Sequence, residues 1–167
     1  MATDPEFYKV KPERKKAEII LAKFKVGDTK SSKKFSIGGL ADKEVYRYVS
    51  EEAYRHIKAH TPKLLIEDGP IGSRGLQHRS SYGKALRIDH MIPTELVYDW
   101  LSKQDSLSLS KVELIAKRLN NAIITKDEDK RLSGNGLRAD LPKGANLLTC
   151  SITARHTAVK IKFHDWG

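Results

Sequence analysis

Cysteine is almost missing from this chain: Cys150 stands alone among 167 residues, which excludes an intramolecular disulfide and any zinc site built on cysteine pairs. The fold must therefore rest on hydrophobic packing, and the lone thiol, following Leu147 and Leu148, reads as a small buried core residue. Long apolar runs are missing as well. Nothing approaches the roughly 20 residues of a spanning helix, and the opening MATDPEFYKVKPERKK lacks the apolar stretch of a secretory signal. The expected setting is soluble and cytoplasmic, with no membrane partner. Acidic residues are the minority charge, 21 against 31 Lys and Arg, so the formal net charge is +10. That excess implies an anionic partner, and composition alone leaves nucleic acid and an anionic membrane surface level. Hydrophobic residues at 39% suffice for a modest core in one domain.

Residues 1–34 carry ten Lys or Arg against five Asp or Glu and read as a basic arm around one short apolar element, Ala17 to Phe24. Over 41–60, Val45, Val49, Ala53 and Ile57 recur four apart, which predicts one amphipathic helix. Glu67 to Ser81, rich in glycine, reads as a loop. LRIDHMIP suits a strand closed by Pro93; Thr94 is expected to cap a helix over ELVYDWLSKQ, with Leu96, Val97, Trp100 and Leu101 on its buried face. Ser110 and Glu113 form a capping-box pattern ahead of Val112, Ile115 and Leu119. AIIT is β-prone, KDEDKRL is a charged helix closed by Ser133-Gly134, and one or two strands are expected in the last 23 residues.

The dipeptide Asp89-His90 carries the chemistry. In extended backbone its side chains point to opposite faces, so one can hold a cation while the other meets a water or substrate. Hydrolysis of a phosphodiester needs both services, because its anionic centre repels hydroxide. Oxygen ligands suit magnesium, and neutral imidazole titrates near working pH.

IDHMIP, followed about thirty residues later by NNAIITKDEDKRL, resembles the HNH or His-Me finger nucleases, in which a β-hairpin and a helix grip one divalent cation. Asp89, His90, Met91, Ile92 and Pro93 match that family's Asp-His-hydrophobic-hydrophobic-Pro stretch, which implies Asp89 as metal ligand and His90 as general base. Asn120 or Asn121, ahead of AIIT, fits the middle Asn that braces the loop orienting the histidine. Counting nine residues from Asn120 reaches Asp129, where the family more often has Asn or His; Asp127 and Glu128 lie in the same turn and remain alternatives. The resemblance spans Leu86 to Pro142, including GLRADLP, with two predicted helices inserted between the strands, an insertion a hairpin tolerates because loop-closure entropy grows slowly.

The resemblance implies an α+β fold, a ββα-metal finger with a helical insertion and additional helices, over residues 84–167, behind a basic, largely helical region at 1–83. It implies a magnesium- or manganese-dependent endonuclease in which Asp89 and Asp129, or Glu128, hold the cation. His90 activates water, and in-line attack leaves a 5′-phosphate and a 3′-hydroxyl. The expected partner is nucleic acid, double-stranded DNA ahead of RNA. Arg74, Arg79, Lys84, Arg87, Lys130, Arg131 and Arg138 are expected to meet phosphates. A basic nucleic-acid-binding module with an inactive finger is the alternative. Were the chain a toxin domain delivered into a target cell, an immunity or inhibitor protein would be a further partner. His56 and His60, four apart on the predicted helix, read as exposed helix histidines, and His156 and His164 as core or surface groups before ligands. Tyr46, Tyr48, Tyr54, Trp100 and Trp166 read as packing residues.

Overall fold

The computed structural model describes residues 13–40, 45–46, 48–60, 62, 71–72 and 85–166. In chain order the described elements are α1 (Glu13–Lys25), α2 (Lys30–Leu40), β1 (Val45–Tyr46), β2 (Tyr48–Val49), α3 (Glu51–His60), β3 (Ile71–Gly72), β4 (Leu86–His90), α4 (Thr94–Ser102), α5 (Leu109–Ala116), β5 (Asn121–Thr125), α6 (Lys126–Gly134) and α7 (Ala154–Ala158). The class is α+β.

The centre is β5, whose first four residues are buried and whose Ile-Ile run suits a strand covered on both faces. β2 pairs with it in parallel and β4 antiparallel, in the order β2-β5-β4. β1 and β3 form a separate antiparallel pair. Alternation along β5 then divides the core. Ile123 faces Val49, Ala53, Ile57 and Leu86 on the α3 side. Ala122 and Ile124 face Met91, Leu132, Leu137, Val159 and Ile161 on the α6 side. A third cluster gathers Ala17 and Ile20 of α1, Ile37 and Leu40 of α2, Val97 and Leu101 of α4, and Val112, Ile115 and Ala116 of α5. Segments from both sides of residue 83 thus share these cores: α1 packs on α5, α2 on α4, and α3 on β5.

Several local expectations shift. The helix expected over 41–60 begins only at Glu51; Tyr48–Val49 is a strand, because alternating aromatic and β-branched residues fit beside β5 better than on a helix. Ser50 marks the change, its hydroxyl accepting the Ala53 N–H at 3.0 Å. Thr94 is already helical and Pro93 precedes it without a side-chain cap. Ser108, not Ser110, caps α5, accepting from the Lys111 N–H at 3.3 Å. Of the predicted α4 face, Val97 and Leu101 are buried, whereas Leu96 and Trp100 are half-buried. The C-terminal segment forms α7 and one isolated antiparallel bridge, Ser50 to Phe163, rather than paired strands. Cys150 is half-buried, not sealed in the core. α6 follows its sequence pattern closely: Thr125 caps it in a reciprocal box with Glu128. The apolar element of the basic arm is α1, with Ala17 and Ile20 buried.

Candidate active site at the end of strand β4

Asp89 and His90 are the last two residues of β4, and the ladder extends one step further through the Met91 N–H donating to the Asn120 carbonyl at 2.8 Å. The register sets His90 opposite Asn121 and Asp89 opposite Ala122. Residues facing each other across an antiparallel pair project to the same side, so Asp89 lies on the Ala122 and Ile124 face and His90 on the other. Chain continuation from β5 directly into α6 leaves that helix against both strands.

The Asp89 carboxylate is largely buried and doubly held. Its Oδ2 accepts from His156 Nε2 at 2.8 Å and forms an ion pair with the Arg155 guanidinium. Burial by itself would raise its pKa; the His156 hydrogen bond and the Arg155 charge outweigh burial and hold the carboxyl below its ordinary value. If His156 donates from Nε2, its Nδ1 is the acceptor nitrogen, and that atom is buried without a hydrogen-bond partner among the described residues.

The imidazole of His90 is half-buried with Nδ1 inside. Its other nitrogen faces Gly38 of α2. A Cβ on Gly38 would sit 3.3 Å from His90 Nε2 and 3.5 Å from a Thr94 methyl, so the bare glycine leaves the space beside Nε2 that a side chain would fill.

The remaining predicted residues divide. Asn121 is 4% exposed, directly opposite His90, with its Oδ1 buried and unpartnered among the described residues, whereas Asn120 is half-buried, contributes its carbonyl to the ladder and donates from Nδ2 to the Lys117 carbonyl. The position beside the histidine is therefore that of Asn121. Glu128 is 1% exposed and spent on structure: its Oε2 accepts from the Ser50 hydroxyl at 2.5 Å and the Thr125 N–H at 2.8 Å. Asp127 is exposed and paired with Lys130 at 3.1 Å. Asp129 is half-buried in the first turn of α6. Arg131 pairs with Glu52 of α3 at 3.1 Å and with Glu128 at 3.6 Å. Arg87 and Arg138 are exposed, and the Arg138 carbonyl is bonded to Arg155. Arg74, Arg79 and Lys84 lie outside the described residues. His56 and His60 stack on each other on α3, and His164 stacks on Tyr54.

Among the described residues no three His, Cys, Asp or Glu side chains gather as a metal cage. Magnesium does not require one, since it takes one or two carboxylates and completes its shell with water and substrate phosphate. Both contacts to Asp89 fall on Oδ2, so Oδ1 is the oxygen with which Asp89 fits a hard cation, and on α6, where Glu128 is spent in the cap and Asp127 is paired with Lys130, Asp129 is the remaining carboxylate. An open cavity of about 630 Å³ lies elsewhere, between α4 and the 135–147 segment, and none of the predicted site residues lines it.

Sequence reading missed Arg155, Gly38 and Ser50. Ser50 could have been found as an N-cap signal ahead of Glu51-Glu52; Arg155 acts through contacts 17 to 66 residues away and Gly38 through a missing side chain, for which no local pattern exists. Compared with known proteins, the chain matches no family model, no curated protein and no solved structure.

Proposed function

We propose that this protein is an HNH-type nuclease that hydrolyses nucleic-acid phosphodiester bonds, DNA ahead of RNA, and that β4, β5 and α6 are its ββα-metal finger. The observation that carries the reading is one juxtaposition: a carboxylate whose pKa is held below its ordinary value and an imidazole whose Nε2 faces the bare Gly38 stand on adjacent residues. They end an antiparallel pair that runs directly into a helix. The net charge of +10 supplies attraction for a polyanion.

In this mechanism the His90 imidazole accepts the proton of the attacking water at Nε2, on the side that faces the bare Gly38. Asn121, opposite it, braces the strand end. Asp89 and Asp129 would hold a magnesium or manganese ion, and when bound that ion neutralises phosphate charge and stabilises the leaving oxygen. The exposed Arg87 and Arg138 lie near enough in sequence and fold to Asp89 and Arg155 to meet backbone phosphates. The products are a 5′-phosphate and a 3′-hydroxyl.

A second reading is favoured by one specific contact. Arg155 already neutralises Asp89, which suits a basic nucleic-acid-binding module whose finger no longer cleaves. Incubating purified protein with plasmid, single-stranded DNA and RNA, with magnesium, with manganese and with EDTA, separates the two. Cleavage abolished by EDTA supports the nuclease; salt-sensitive binding without cleavage in any metal would replace it with the binding module.

A further inference from the structure

We infer that Arg155 is a positioning residue of this site, a five-pronged clamp that sets the backbone of Asp89, His90 and Met91; its catalytic consequence rests on the nuclease reading, its geometry does not. Arg155 is 1% exposed and lies on α7, far along the chain from β4. A guanidinium has five N–H donors in a rigid planar fork, and here every one has an acceptor. Nε donates to the Met91 carbonyl at 3.2 Å. Nη1 donates to the Leu137 carbonyl at 2.7 Å and the Arg138 carbonyl at 3.1 Å. Nη2 donates to the Asp89 carboxylate and to the His90 carbonyl.

Three of those acceptors belong to three consecutive residues, and two of the three are main-chain carbonyls, which fix the path of the peptide rather than one side chain. Met91 is held from the other side as well, by its N–H on Asn120. The remaining two acceptors anchor the fork to the segment after α6. The clamp therefore ties the end of β4, the exit of α6 and α7 into one rigid unit, and the imidazole of His90 inherits its placement from a backbone it does not itself secure. Stability alone is a poor account of such a group, because a buried ion pair gains little over well-packed apolar residues. Placement is what a fork supplies and a lysine cannot: an ammonium offers three donors from a single point and could not reach acceptors spread from residue 89 to residue 138.

The first measurement uses the wild-type, metal-free protein. Its ¹⁵N spectrum is expected to show the Arg155 Nε–H and both Nη groups as separate, slowly exchanging signals; one averaged, fast-exchanging guanidinium signal would overturn the clamp, whatever the protein cleaves. The second is Arg155→Lys. A folded variant is expected to lose about 100-fold in kcat, with KM for DNA changed by no more than about threefold and displaced His90 ring resonances in the metal-free state. Wild-type kcat and unmoved His90 signals in a folded variant would overturn the assignment. Should that variant not fold, the wild-type spectrum still decides. A wild-type protein that cleaves no nucleic acid in any metal removes the nuclease reading and the kcat consequence with it, while the spectrum tests the geometry independently.

Discussion

Two buried carboxylates sit at opposite ends of the central strand, and they are satisfied in different ways. Glu128 receives two neutral donors on Oε2, the Ser50 hydroxyl and the Thr125 N–H, the second of them three residues away in its own capping box, and its Oε1 lies 3.6 Å from Arg131 one turn on. Asp89 receives an arginine and a histidine, both from α7. The first arrangement closes a helix end and ties α6 to the start of α3; 1% of Glu128 remains accessible. The second leaves 16% of the Asp89 side chain accessible and places an imidazole on the next residue. A carboxylate that only has to hold a fold is served chiefly by neutral hydrogen bonds, one of them in its own capping box. One that keeps its charge at a partly open position needs charged partners, and these come from a distant segment.

The most forceful way to test this contrast is to remove the imidazole. His90→Ala is expected to lower kcat for plasmid cleavage by about 10³-fold, the range a positioned general base supplies, with the melting temperature moved by no more than about 3 °C. Equal activity in that variant would show that the end of β4 carries no chemistry and that both carboxylates are structural.

Asp89→Asn comes next. It leaves the buried Arg155 without its counter-charge, so a loss of about 3 kcal/mol in urea unfolding at neutral pH is expected. The pH dependence has a definite sign. Because the folded-state pKa lies below the ordinary carboxylate value, the ionised pair contributes stability above that ordinary value and loses it as pH falls through the folded pKa. Wild-type unfolding should therefore weaken on the acid side more steeply than the unfolding of Asp89→Asn, whose acid limb should be flatter. Parallel acid limbs would mean that Asp89 and Arg155 do not form the pair in solution.

At the other carboxylate, Ser50→Ala removes the hydroxyl shared by Glu128 and the first turn of α3. A loss of about 2 kcal/mol is expected, since the hydroxyl serves a charged acceptor and a helix cap at once. The cleavage rate per folded molecule should be unchanged. A fall in kcat at temperatures where the variant is fully folded would couple the two carboxylates and blur the distinction between them.

The same contrast explains what the sequence made legible. KDEDKRL closed by Ser133-Gly134 is a local pattern, and α6 runs over Lys126–Gly134 as that pattern implies, with Thr125 and Glu128 as its capping box. Leu86 to His90 and Asn121 to Thr125 carry enough β-branched residues and punctuation to be read as strands, and Val112, Ile115 and Leu119 fall on the buried stripe expected of them. Glu128 as a ligand candidate was less legible, because a capping glutamate and a metal-binding one look alike until Ser50, 78 residues away, is seen to bond it. Residues 41–60 misled because Val45, Val49, Ala53 and Ile57 satisfy helical spacing while VYRYV also satisfies alternation; the open edge of β5 decided for a strand at Tyr48–Val49. Arg155 was invisible because its acceptors are mostly backbone carbonyls, which every sequence has and none advertises.

Gly38 offers the gentlest test, because it changes neither carboxylate. A methyl placed there would come within 3.3 Å of His90 Nε2, tighter than ordinary contact, and would have to push the imidazole by a few tenths of an ångström or occupy the water's place. The glycine is helical, so Ala should if anything favour α2 by about 0.5–1 kcal/mol. Gly38→Ala is therefore expected to be as stable as the parent or slightly more so, yet to cleave about tenfold more slowly, because displacement of a general base by a fraction of an ångström already disturbs proton transfer. Gly39 is the internal control: nothing lies within 4 Å of a Cβ there, so Gly39→Ala should gain the same helix propensity and keep its rate. Equal rates in the two variants would mean that the space beside Nε2 is not where water is activated. A slow Gly38→Ala next to a normal Gly39→Ala would locate that water by a single methyl group.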